Sequence, residues 1–132
     1  MQYQSTLNRE QLVDLAIQRY FANVDRKNLG AVLDCFHENA LFAVQTAHTT
    51  HVGHAGLKRM FTDFFGAFKT IIHRDFTCTV DEKNGRIAAC FTAELVDHNG
   101  QKTLLENTNF WRIRGDRFQE VYVYMSGANP LV

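Results

Sequence analysis

The chain has 132 residues, 45% of them hydrophobic and 21% charged, with 14 basic residues balancing 14 acidic ones. That length suffices for one domain with a real core, read as a single unit over residues 1–132. Zero net charge, with no Lys/Arg run longer than the pairs Arg26-Lys27 and Lys58-Arg59, leaves no footprint for nucleic acid, and no apolar run approaches the roughly 18 residues of a membrane span.

Residues 1–7 are polar, unlike a secretory signal. Cys35, Cys78 and Cys90 are odd in number and far apart, which fits free thiols in a reducing compartment and predicts a cytoplasmic protein. Eleven Phe, four Tyr and one Trp are a surplus that suits either a Phe-rich core or a cavity lined for an apolar ligand.

Asn8 and Gln11 have the spacing of a capping box, with Leu7 and Leu12 placed as a hydrophobic staple. Leu12, Val13, Ala16, Ile17, Tyr20, Phe21 and Val24 then keep helical spacing, which predicts a first helix over 9–24. The break at Asp25-Arg26-Lys27-Asn28 supplies a new N-cap, and Leu29, Val32, Leu33 and Phe36 form a shorter helical face. Residues 40–46 read as a short strand. Gly53 to Gly56 open a third helix, with Leu57, Phe61, Phe64 and Phe68 on one stripe over 55–68.

After Lys69 the period changes to that of strands, expected at 70–80, 86–97, 102–113 and 117–126 and separated by Asn84-Gly85, Asn99-Gly100 and Arg114-Gly115-Asp116. Helices followed by a meander of long strands is an α+β arrangement. His48, His51 and His54 invite a metal site, but their spacing of three does not gather side chains on one strand face. The segment reads as a polar loop, with no metal. Nothing in the sequence marks a phosphate loop or a serine nucleophile elbow, and no cofactor is expected.

Gln18-Arg19-Tyr20, Leu29, Phe36, Ala40, Gly53 and Ala55, then Gly100, Lys102-Thr103 and Phe110-Trp111-Arg112-Ile113, lie at spacings that resemble the ketosteroid isomerase branch of the nuclear transport factor 2-like superfamily, SnoaL-like domains included. The resemblance implies a cone-shaped, cystatin-like α+β barrel, a curved antiparallel sheet wrapped around N-terminal helices. It puts Tyr20 at the oxyanion-stabilising tyrosine, Val44 at the general base and Asn109 at the second oxyanion donor. Valine cannot carry a proton, whereas the Asn109 amide can still donate. The ordinary ketosteroid reaction is therefore not expected.

His73 is the candidate replacement base, in a region similar to scytalone dehydratase-like and SnoaL-type members that carry a cavity histidine; an imidazole suits proton transfer near neutral pH. Asp25 resembles the aspartate that holds that histidine, although a helix-terminating residue would also account for it. Simple alternation groups His73 with Asp75, Thr77 and Thr79 on a polar face, so a cavity-facing His73 needs a bulge that nothing in the sequence marks.

Alternation places Leu105, Asn107, Asn109 and Trp111 on one face, and the resemblance turns Tyr122 and Tyr124 inward beside Asn109. Asn107, Trp111, Tyr122 and Tyr124, with Val44 and Phe64, are the candidate ligand contacts. The expected function is a cofactor-free isomerase, dehydratase or cyclase binding a small hydrophobic molecule, with Tyr20, His73, Asn109 and Asp25 catalytic. The alternative is a non-catalytic binding or interaction module. The resemblance also implies a homodimer.

Overall fold

Helix α1 is built in three contiguous segments, α-helical Arg9–Asp14, π-helical Leu15–Phe21 and α-helical Ala22–Asp25, in a computed structural model that describes residues 2–132. Met1, which opens the polar lead segment, lies outside the described residues. The capping box forms: the Asn8 side chain accepts from the Gln11 N–H, and the Gln11 side chain accepts from the Asn8 N–H, both at 2.9 Å. Such a cap contributes about 1 kcal/mol. Lys27, at φ 57°, turns the chain, and the Asn28 side chain caps α2, Leu29–Asp34. Phe36, expected on the face of this helix, instead begins strand β1, Phe36–Val44.

The expected polar loop at His48 to His54 is largely strand β2, Thr49–Val52, paired antiparallel with β1 so that His51 faces Phe42 and is buried. Helix α3, Gly53–Ala67, buries Leu57, Met60, Phe61 and Phe64. Then come β3, Phe68–Asp81, β4, Arg86–Asp97, β5, Lys102–Arg114, and β6, Arg117–Tyr124. The β3–β4 hairpin needs its glycine: at Gly85, φ +62°, an added Cβ would lie 2.5 Å from Ser5 Cβ.

The sheet order is β2-β1-β6-β5-β4-β3. Consecutive pairs along the meander β3 to β6 are antiparallel, as is β1–β2. One pair departs from the antiparallel expectation: β1 runs parallel to β6, because the long excursion through β2 to β5 returns the chain to β1 in its original direction. The six-stranded sheet curves around the helices without closing, so β2 and β3 remain edges. Its concave face and the helices share one apolar core that includes Tyr20, Phe36, Phe42, Phe61, Trp111 and Phe118.

Candidate functional site

The side chain of Asp25, the last residue of α1, meets His73 on β3. Its Oδ1 lies 2.6 Å from His73 Nδ1, and its Oδ2 accepts the His73 main-chain N–H at 2.9 Å. In the neutral ring the carboxylate therefore selects the Nδ1–H tautomer, with the lone pair on Nε2. The imidazole is wedged between Phe21 and Phe91, with ring centroids 4.5 and 5.5 Å away. Asp25 also occupies a hydrogen-bonding site on an edge strand, and Lys27 Nζ covers the nearby Phe68 carbonyl. Helix terminus, edge protection and ring orientation are thus one feature.

A bulge brings His73 inward. The β3–β4 register shifts between Arg74 and Thr77, and Asp75 takes the left-handed conformation at φ 60°. Before it the inward residues are Ile71 and His73; after it they are Phe76, Cys78 and Val80. The extra residue switches the parity of the strand. Aspartate tolerates this conformation better than most side chains, a preference too weak to identify a bulge in advance.

Tyr20 lies in the π-helical segment, where the Ala22 N–H reaches back to Ile17 rather than Gln18. The Arg19 carbonyl accepts from the Asn23 side chain at 2.7 Å. This widened turn lets neighbouring Tyr20, Phe21 and then Val24 all contribute to one cavity wall. The Tyr20 ring meets Phe36, Phe61, Trp111 and Phe118 edge-on at 5.6 to 6.2 Å. Burial, reinforced by the charges of Cys35 and Asp25, drives its pKa far above that of an ordinary phenol. It stays a neutral donor, and no hydrogen bond to its hydroxyl is formed among the described residues.

Tyr20 and His73 line the same cavity. Asn107 and Asn109 face it from β5, and their Oδ1 atoms are buried without partners. A buried unpaired polar atom costs about 1–3 kcal/mol, so two on one wall are a sizeable debt that a polar ligand group could remove. The rest of the wall is apolar, including Phe42, Phe61 and Phe64. The free space within it is small, about 30 Å³.

Four expected ligand contacts lie elsewhere. Val44 is fully buried one pleat beyond Phe42, the residue through which β1 reaches the cavity. Trp111 packs behind Tyr20, stacked on Phe118 at 5.5 Å, with its Nε1 lacking a partner. Tyr122 and Tyr124 lie on the outer face, correcting the inward placement. The β5–β6 register sets Asn109 opposite Val123, and Phe110 and Thr108 opposite Tyr122 and Tyr124; paired residues share a face. Outside, Tyr3 and Tyr122 both donate to Glu120, and the Arg112 guanidinium lies 5.3 Å from the centre of the Tyr122 ring.

The SnoaL-like domain model matches residues 17–121, most of the chain. The chain belongs to the SnoaL-like domain family. This SnoaL-like domain is also similar in fold to a protein from Xanthomonas campestris pv. campestris provisionally named a polyketide cyclase, with a TM-score of 0.80 and 20% identity over 89% of this chain and 92% of that one. A provisionally named aromatic ring hydroxylase from Novosphingobium aromaticivorans has a TM-score of 0.79 and 26% identity, over 92% and 90%. SalBIII, an epoxide hydrolase/cyclase-like enzyme of pyran ring formation in the polyether salinomycin, has a TM-score of 0.78 and 15% identity, over 89% and 92%. No curated protein matches the chain. No helix among the described residues is long and apolar enough to cross a membrane.

The SnoaL-like domain has a wall that sequence reasoning missed. The segment after β6 contributes Met125, Pro130 and Leu131 to the cavity. Buried His51 touches the Leu131 carbonyl, and His54 turns to the Phe36 carbonyl. Pro130 was visible as the only proline, but a lone proline does not say which surface the chain crosses.

Proposed function

We propose that this SnoaL-like domain is a cofactor-independent isomerase, dehydratase or cyclase acting on a small hydrophobic carbonyl compound. The observation that supports it is an imidazole held through Nδ1 by Asp25 in one apolar cavity with the Tyr20 phenol. His73 Nε2 takes a proton from the carbon beside the carbonyl. The C–H electron pair moves through to the oxygen, and the resulting enolate accepts hydrogen bonds from Tyr20 and from an Asn109 amide turned to donate. The imidazolium then returns the proton, to another carbon in isomerisation or to a departing hydroxyl, which leaves as water, in dehydration. A preorganised donor at the oxyanion contributes roughly 3–4 kcal/mol.

The test follows the α-protons of 1-tetralone in deuterated water by NMR. The protein should accelerate their exchange, and His73→Ala should reduce the catalysed rate roughly 10²–10⁴-fold with the circular dichroism spectrum unchanged. An equal rate in that variant would sink the assignment. Val44, standing where the resemblance puts the family's base, favours a second reading in which the cavity only binds. In that case 1-tetralone perturbs cavity resonances and exchanges no faster than in buffer.

Outer-face Leu104, Phe110 and Tyr124 are 53%, 46% and 43% exposed, and they support pairing with a second copy through the sheet. Light scattering at micromolar concentration should then give twice the mass of the chain, and a monomer would count against it.

A further inference from the structure

The reaction proposed above leaves one polar group on the cavity wall without a role. Asn107 lines the cavity from β5 and is only 6% exposed, and its Oδ1 has no hydrogen-bond partner. A buried amide oxygen left bare costs free energy that a leucine, of similar volume, would not. A ligand that brings a hydrogen to this oxygen recovers the cost.

The place of Asn107 on the strand sets where that hydrogen must be. Asn109 lies on the Tyr20 side: Trp111, the next inward residue, has its ring centre 6.1 Å from that of Tyr20. Asn107 lies one inward position the other way, opposite Phe91, whose ring centre is 5.5 Å from that of the His73 imidazole. Same-face neighbours on a strand are about 7 Å apart, so a ligand whose carbonyl oxygen meets Tyr20 and Asn109 presents to Asn107 a group about that far along. Oδ1 only accepts, so the group carries a hydrogen. A hydroxyl suits both ends of the amide, donating to Oδ1 and accepting from Nδ2, whereas an ether or a second ketone leaves Oδ1 bare.

The wall sets the charge of the ligand as well. Among the described residues no Lys, Arg, Asp or Glu side chain lines the cavity, and the Asp25 carboxylate stands behind His73. An ionised ligand would be stripped of water there with no counter-charge, because His73 acts as a base only when neutral. We propose that the substrate is a neutral hydroxy ketone, and that Asn107 is its specificity-determining residue, accepting the hydrogen of a hydroxyl about 7 Å from the reacting carbonyl. This rests on the cavity being the site of the proton transfer proposed above. Free space of about 30 Å³ keeps the ligand small, and the unbranched Met125 side chain is the part of the wall that repacks most readily around it.

The experiment compares three single-ring ketones that differ only opposite the acetyl group: acetophenone, 4-hydroxyacetophenone and 4-acetylbenzoate. Exchange of the acetyl protons in deuterated water and titration of the cavity methyl signals are both followed by NMR at about pH 7, where a phenol keeps its proton. Dividing each rate by the rate in buffer removes the electronic effect of the substituent. The wild type should favour 4-hydroxyacetophenone over acetophenone roughly 10-fold in rate or affinity and leave 4-acetylbenzoate unbound. Asn107→Leu should abolish the preference while still exchanging acetophenone, with an unchanged circular dichroism spectrum. Asn109→Leu should slow both neutral ketones alike and keep the preference. Equal rates and affinities for the two neutral ketones in the wild type, or a preference that survives in Asn107→Leu, would overturn the recognition and leave the proton transfer standing. Binding of 4-acetylbenzoate as tight as that of 4-hydroxyacetophenone would overturn the neutral class. An Asn107-dependent preference in binding, with no exchange of either ketone, supports the recognition and rejects the proton transfer.

Discussion

Asp25 grips His73 at two points, the ring nitrogen Nδ1 and the main-chain N–H, so one carboxylate sets both the tautomer of the imidazole and the position of its strand. The pair lies between the end of α1 and an edge of the sheet, which lets a terminal residue of one element orient a side chain of the other.

Asp25→Asn should separate these duties. The amide still reaches the main-chain N–H but no longer stabilises the imidazolium that forms during proton transfer. Catalysed exchange of 1-tetralone should fall roughly 10²–10⁴-fold with little loss of stability. Asp25→Ala leaves buried donors unmet and should cost about 1–3 kcal/mol in urea unfolding.

Tyr20→Phe should move stability and activity in opposite directions. The hydroxyl has no partner among the described residues, so its removal should be neutral or stabilising by up to about 1 kcal/mol. Loss of the oxyanion donor should cut the exchange rate about 10²–10³-fold. A parallel loss of stability would show instead that the hydroxyl is structural.

Asp75 should be sensitive to backbone and not to charge. Asp75→Gly keeps the left-handed turn without penalty, whereas Asp75→Val should cost about 1–2 kcal/mol. The exposed contact to Arg74 Nη1 contributes little in either case. Thermal unfolding of the two variants measures the difference.

Glu120 should carry a pH-dependent share of stability. Burial pushes its pKa up, but hydrogen bonds from Tyr122 and Tyr3 and the nearby Arg112 outweigh this and leave it lowered. A lowered folded-state pKa contributes stability above the unfolded value, and this is lost as the pH falls through the folded value. The stability gap between wild type and Glu120→Gln should be full near pH 7, shrink below about pH 4.3, and close in stronger acid. Urea unfolding across that range measures it.

Much of the fold was legible locally. The Asn8 and Gln11 cap, the Leu57, Phe61 and Phe64 stripe of α3 and the left-handed turns at the hairpin glycines are local features and appear where spacing places them, although Phe68, expected on that stripe, begins β3. The candidate site was legible in part, through Tyr20, Asn107 and Asn109, whose positions follow helical and strand periods. His73 was legible only through the resemblance, because one residue of bulge at Asp75 inverts every later position on the strand and alternation alone turned it outward. Tyr122 and Tyr124 went the wrong way because β6 takes its face from pairing with β5, a long-range relation that resemblance to relatives did not settle.

By itself the sequence determined the α+β class, the helix caps and turns, and the residue types available for proton transfer, since each depends on contacts a few positions apart. Only the tertiary structure decided that β1 joins β6 in parallel, that a bulge turns His73 inward beside Asp25, and that the segment around Leu131 lines the cavity and meets His51. Those contacts join residues about 50 to 80 positions apart, and it is the packing of the curved sheet against the helices that selects them.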